Sequence, residues 1–137
     1  MHAAGFGASI LSTSKGIDSH NPPFLEGVPI TILSLICQRF FVPIFRPGLL
    51  SSLVRQYDIV QLMGWWNVLN YLVWRAARRA GIPIVVCPAG ELAMAGRSRW
   101  LKRVFQYLVG RQILATAQGY IAIAENEIDQ FIANGVF

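Results

Sequence analysis

Apolar residues gather into five short runs along the chain, at 8–12, 28–33, 58–63, 82–87 and 120–124. They are rich in β-branched residues and nearly continuous rather than alternating, the pattern of strands covered on both faces. Helix-period patterns separate the last three runs, over 67–80 and 98–117, and a further one opens at Glu125. Strands alternating with helices of this length build right-handed βαβ units on a parallel sheet. The pattern predicts a doubly wound, mostly parallel, Rossmann-like α/β fold.

Punctuation residues sharpen the boundaries. Asn67 is a capping type at the head of the first predicted helix, and Gly81 follows its last residue as a stop. Ser98 takes the capping place of the next helix. Pro43 and Pro47 break the segment 39–56, with a helix predicted to begin at Pro47, where the missing N–H costs nothing. Ligands of open parallel sheets sit beyond the carboxyl ends of the strands. That rule selects Gly64-Trp65-Trp66-Asn67 after the third run and Pro88-Ala89-Gly90-Glu91 after the fourth. Neighbouring strands would open both loops on one crevice, with Glu91 at its mouth.

Composition bounds the picture. The 137 residues suit one domain or part of one, and two domains are not expected. Charged residues make up 14% of the chain, against about 25% in ordinary globular domains, so surface is expected to be hidden. Arg39, Arg46, Arg55, Asp58 and Arg75 interrupt the longest apolar stretches, and no transmembrane helix is predicted. The amino-terminal MHAAGFGASILSTSK has no basic n-region and no long apolar stretch, so the expectation is no secretory signal and a cytoplasmic location. Cys37 and Cys87 have neither CxxC nor His spacing and read as buried free thiols. His2 and His20 read as solvated loop histidines. No metal ligand and no cofactor is assigned.

YDIVQLMGWWNVLNYLVWRAARRAGIPIVVCPAGEL, followed by GRSRWLKRVFQYLVGRQILATAQGYIAIAENEIDQFIANGV, resembles the amino-terminal domain of the family-four retaining glycosyltransferases of GT-B fold. The likeness covers 57–136 well and the earlier part loosely. In that family a D-hydrophobic-V-H-x-H-G strand end precedes an aromatic, Asn-rich helix start. An A-R-x-x-G-I-P turn, a strand ending in Pro-x-Gly and a strand leading into a Glu-rich helix follow. The corresponding segments here are 58–64, 65–70, 77–83, 88–90 and 121–127. Gln61 and Met63 stand where the family has histidines, and Ala89 where many relatives carry His or Arg. Ala124 replaces the Ser that commonly caps the last helix, leaving Glu125 and Glu127 to complement its dipole.

The resemblance implies one half of an enzyme that moves a sugar from a nucleotide-sugar donor to a glycan or lipid-linked acceptor, in cell-surface polysaccharide or lipopolysaccharide synthesis. The family's donor machinery resembles an E-x7-E motif with a basic residue in a carboxy-terminal domain, and no glutamate here has another eight positions later. The chain is therefore expected to be a single partial domain, 1–137, whose first strand and glycine-rich turn are missing. It would carry no catalytic residue, be inactive alone, and work with a separate donor-binding domain or chain.

Acceptor binding is expected at Gly64, Trp65, Trp66, Asn67, Asn70, Ala89, Gly90 and Glu91. Trp faces suit the C–H face of a sugar, and the Asn and Glu groups suit its hydroxyls. Each has a competing role, a Trp in the core, Asn67 as helix cap, Glu91 as dipole partner or counter-ion of Arg97. The net charge of +5 is concentrated: between Arg75 and Arg111 the only acid is Glu91. Arg97, Arg99, Lys102, Arg103 and Arg111 border a helix that also carries Trp100, Leu101, Val104, Phe105, Leu108 and Leu114. Such a helix can lie on an anionic membrane at the inner face, or pack its apolar side on the sheet with the charges solvated. A non-catalytic basic module binding a partner subunit, a membrane surface or nucleic acid is the alternative. An isoelectric point near 9.8 invites nucleic acid, but there is no helix-turn-helix, RNP or zinc-finger pattern. Gly5-x-Gly7 precedes its strand, whereas a dinucleotide fingerprint must follow one.

Overall fold

The β-branched runs form strands that pair in parallel, and the segments between the last three wind into helices. The computed structural model describes residues 7–14, 26–37, 42–46, 48–92 and 99–136. His2, His20, Pro47, Arg97 and Ser98 lie outside them. The chain divides into two compact units, Met1–Arg46 and Pro47–Phe137.

In the first unit, β1 (Ile10–Thr13) pairs in parallel with β2 (Ile30–Leu33), Ile10 opposite Ile30 and Thr13 opposite Leu33. A short antiparallel pair, β3 (Leu35–Cys37) with β4 (Val42–Pro43), was not expected. Pro43 lacks a donor and ends its two-residue strand, where proline is tolerated. Cys37 is only half-buried, contrary to the expectation for both thiols, whereas Cys87 is buried.

In the second unit, α1 (Leu49–Val54) starts after Gly48 and packs on the helix α2 (Val68–Ala80). Its described start is two residues beyond the predicted Pro47. A three-stranded parallel sheet follows in the order β5 (Val60–Met63), β6 (Ile84–Cys87), β7 (Gly119–Tyr120). Between its strands lie α2 (Val68–Ala80), then α3 (Arg99–Phe105), a π-helical turn (Gln106–Gly110) and α4 (Arg111–Thr116). The helix α5 (Glu125–Ala133) follows β7. Asn67 caps α2 as its sequence suggested, its side-chain oxygen accepting the Asn70 N–H at 2.7 Å, and Gly81 ends the helix with a left-handed φ of 71°.

Burial on both faces holds only for the middle strand. Ile84, Val86 and Cys87 of β6 are buried, while β5 buries Leu62 and exposes Gln61 and Met63. The expected strand 120–124 is also cut short. Ile121 N–H still donates to the Val86 carbonyl at 2.8 Å, but two residues later Glu127 takes the Ile123 N–H at 2.6 Å and draws the backbone out of the ladder. The uninterrupted helix predicted over 98–117 contains the π-helical turn instead. Gly110, without a Cβ, leaves room there for the Gln106 carboxamide.

Candidate functional site

The two loops singled out from the sequence leave adjacent parallel strands, and the structure ties them together through Glu91. Its Oε2 accepts the backbone N–H of Trp65 at 2.6 Å and, more loosely, that of Trp66 at 3.4 Å. The Trp66 indole N–H donates back to the Glu91 carbonyl. A charged acceptor roughly doubles the strength of a hydrogen bond, so the acid after β6 fixes the turn after β5. That turn needs Gly64, whose φ is 75°. A Cβ there would also sit 3.0 Å from Glu91 Oε2.

Behind the turn, Asn70 donates to the carbonyls of Met63 at 2.9 Å and Gly64 at 3.0 Å. Asn67 is engaged in capping. Asn70 thus holds the end of β5, and Asn67 the start of α2, with groups the sequence reading had offered to a ligand. Trp65 is 2% exposed, and its indole N–H donates to Gln106 Oε1 at 2.9 Å. Gln106, itself buried, donates onward to Asn134 Oδ1 at 2.8 Å. The ring of Trp65 therefore has no face open to a sugar.

The second loop turns through two consecutive left-handed residues, Ala89 with φ 52° and Gly90 with φ 82°. A non-glycine residue in that region is strained by about 1–2 kcal/mol, so something must hold it. Glu127 does. Its carboxylate is 1% exposed and accepts the Gly90 N–H with one oxygen and the Ile123 N–H with the other. Sequence reasoning grouped Glu127 with Glu125 as a dipole partner and missed this, and it also missed Gln106. The usable signal was the position of Glu127, third in its helix after an Ala that cannot cap, where a carboxylate can fold back on earlier N–H groups.

The accessible part of the site is narrower than the sequence suggested. The Trp66 ring is half-buried, packs edge-on against Phe105 with centroids 5.6 Å apart, and has the Lys102 ammonium 5.0 Å from its centre. Gly90 and Glu91 are exposed beside it. The structure thus gathers Gly64, Trp65, Trp66, Asn67, Asn70, Ala89, Gly90, Glu91 and Lys102 around one sheet end. Arg103 and Arg111 are exposed further along the same helix, Arg99 begins it, and Arg97 lies outside the described residues. On that helix Trp100, Val104, Tyr107 and Leu108 are exposed, Trp100 at 67% and Tyr107 at 69%. Leu114 is buried. Among the described residues no cluster of His, Cys, Asp and Glu could hold a metal ion, and no helix is long and apolar enough to cross a membrane.

The family model described as glycosyl transferase 4-like domain matches residues 3–137. Comparison with curated proteins and with solved structures returns no match.

Proposed function

The chain belongs to the glycosyl transferase 4-like domain family, and from that premise we propose that it forms the acceptor side of a sugar transferase. Its sheet end orients a hydroxyl of a glycan or lipid-linked acceptor, in the synthesis of cell-surface polysaccharide or lipopolysaccharide. The supporting observation is the coupling of the β5 and β6 loops through Glu91 beside the partly open Trp66 ring. Trp66 offers a sugar the part of its ring left open, and Lys102 over the ring holds it in place. One oxygen of Glu91 holds the loops, and the other is directed to an acceptor hydroxyl. Trp65, Asn67, Asn70 and Gly64 shape the loop from behind, while Ala89 and Gly90 set its second wall.

Orientation of this kind lowers a barrier by holding the nucleophile in line. It supplies no charge for the departing diphosphate, which needs basic groups or helix N-termini near the donor. Sugar transfer on this reading requires a donor-binding domain in addition to residues 1–137, and the chain alone turns over no donor.

Membrane contact belongs to the same proposal. Trp100, Val104, Tyr107 and Leu108 follow the 4, 3, 1 spacing of one helix face and are exposed together, with Arg103 and Arg111 exposed along the same helix. An exposed apolar stripe with a basic border suits the headgroup region of an anionic leaflet, which would bring a lipid-linked acceptor to the loops from the inner face.

Binding of a lipid-linked oligosaccharide by the wild type, Trp66→Ala and Glu91→Gln tests the acceptor site. The expectation is a loss of roughly tenfold in each variant, the worth of about 1.4 kcal/mol. Unchanged binding would leave Glu91 as a loop brace and Trp66 as packing. Binding to an anionic surface or nucleic acid without any glycan binding would favour the non-catalytic alternative.

A further inference from the structure

Three arginines of α2 line a groove apart from the sheet-end loops, with Leu108 of the exposed stripe on its opposite wall. It has a volume of roughly 520 Å³ and lies between α2 and the helix that carries the π-helical turn. Tyr71, Trp74, Arg75 and Arg78 fall on one face of α2 with Arg79 beside them, and Gln112 stands on the opposite wall. Among the described residues no acid lines the groove.

The guanidinium groups are positioned by rings instead of carboxylates. Arg75 lies 5.6 Å from the centre of Tyr71 and donates to its hydroxyl at 3.3 Å. Arg78 lies 5.2 Å from the centre of Trp74. Trp74 is a fixed platform, 4% exposed, with its indole N–H donating to Thr116 Oγ1 at 3.0 Å. Cation–π attraction to the rings, in place of carboxylate pairing, leaves other guanidinium N–H groups for a ligand, and the fork of such groups matches a phosphate. Groups already held in place lose less freedom on binding.

Basic residues in a last helical turn also complement the helix dipole, which accounts for Arg78 and Arg79. It does not account for Arg75, for the neighbouring rings or for the lack of any acid in the lining. Three neighbouring cations repel one another, and a multivalent anion relieves all three contacts at once.

We propose that this groove binds a phosphate-bearing anion, taken up either free as a diphosphate or as the headgroup of a lipid. The site is independent of the sheet-end loops and stands whether or not those bind a sugar.

The test uses the full chain at fixed ionic strength. Inorganic pyrophosphate is titrated calorimetrically, and vesicles containing phosphatidylglycerol are sedimented with the protein. Arg75→Gln with Arg78→Gln removes the groove's ring-held cations. Arg46→Gln with Arg55→Gln, both exposed and placed neither in the sheet-end loops nor on the membrane-facing helix, removes equal charge outside it. The expected result is saturable binding of at least one probe, weakened about tenfold or more by the groove pair and less than about threefold by the control pair. Pyrophosphate dependence identifies a free phosphate, and dependence seen with vesicles alone identifies a headgroup. Should the groove pair fail to fold, Arg78→Lys keeps the charge but loses the planar fork, and it is expected to weaken the same probe severalfold. Equal weakening by both pairs, no binding of either probe, or groove-dependent binding confined to a single-stranded RNA oligomer would overturn the proposal.

Discussion

Replacing Glu127 by alanine removes the acceptor for two backbone donors at once, the Gly90 and Ile123 N–H groups. A donor left unpaired inside a protein costs about 1–3 kcal/mol. Gly90 and Ile123 belong to exposed residues, so water can follow into the vacated space and keep the sum near the low end, about 2–3 kcal/mol. Against a total stability of about 5–15 kcal/mol, that is a large fraction. Glutamine tests the geometry separately. Its carbonyl oxygen keeps one acceptor, but its amide turns a donor toward the other N–H, and the expected cost is about 1–3 kcal/mol. Glu125→Ala is the control. Glu125 shares the first turn of α5 but is exposed, and loss of its interaction with the helix dipole is worth about 0.3–1 kcal/mol. All four tryptophans lie in Pro47–Phe137, so tryptophan fluorescence during denaturant unfolding reads this unit. Faster hydrogen exchange at the Gly90 and Ile123 amides is expected in Glu127→Ala. A loss below about 1 kcal/mol, or an equal loss in Glu125→Ala, would refute the bracing role and return both acids to simple dipole partners.

Gly110→Ala should destabilise despite alanine's better helix propensity, because the new Cβ would overlap Gln106 Oε1 and approach Trp65 Cζ2 to 3.1 Å. Gln106 cannot turn aside without breaking its bonds to Trp65 and Asn134, so a net loss of about 1–3 kcal/mol is expected in the same unfolding assay, and a gain would show the network to be slack. Burial raises the Tyr120 hydroxyl above the ordinary tyrosine value of 10.0. The folded chain then holds that proton longer than the unfolded one. Its stabilising share is complete below pH 10.0 and disappears as pH climbs through the raised value. Melting temperatures followed from about pH 9 to 11 should fall less steeply in Tyr120→Phe than in the wild type, and parallel curves would contradict this.

The sequence carried α2 almost to the residue, since its cap, its apolar period and its stopping glycine all agree. It carried the meeting of the Gly64 and Glu91 loops as well, because two adjacent parallel strands leave little choice of where their ends open. Elsewhere local patterns were silent on tertiary competition. An apolar run such as 120–124 reads as strand throughout, and only the later Glu127 decides that its backbone leaves the ladder. Helical periodicity cannot distinguish an ordinary turn from a π-helical one. Gln106 and Gly110, a polar and a small residue four apart in an apolar stretch, were the marks of that widening. The short β3–β4 pair was hidden by prolines that read as breaks. Trp65 and Trp66 are neighbours with the same chemistry, yet one is core and the other partly open. Their separation depends on Gln106, 41 positions later in the chain.

The turn after β5 points two successive N–H groups at a single oxygen, and concavities of that kind are where proteins commonly seize dissolved anions. Here the anion is a side chain on the neighbouring loop. A tethered occupant competes at the effective concentration set by its short connection, about millimolar or above, and it never diffuses away. A phosphate or carboxylate arriving from solution must evict it and meet its charge at the same moment. A neutral hydroxyl faces neither obstacle. Glu91 thus fills with a tethered charge a cradle that would otherwise suit a free anion.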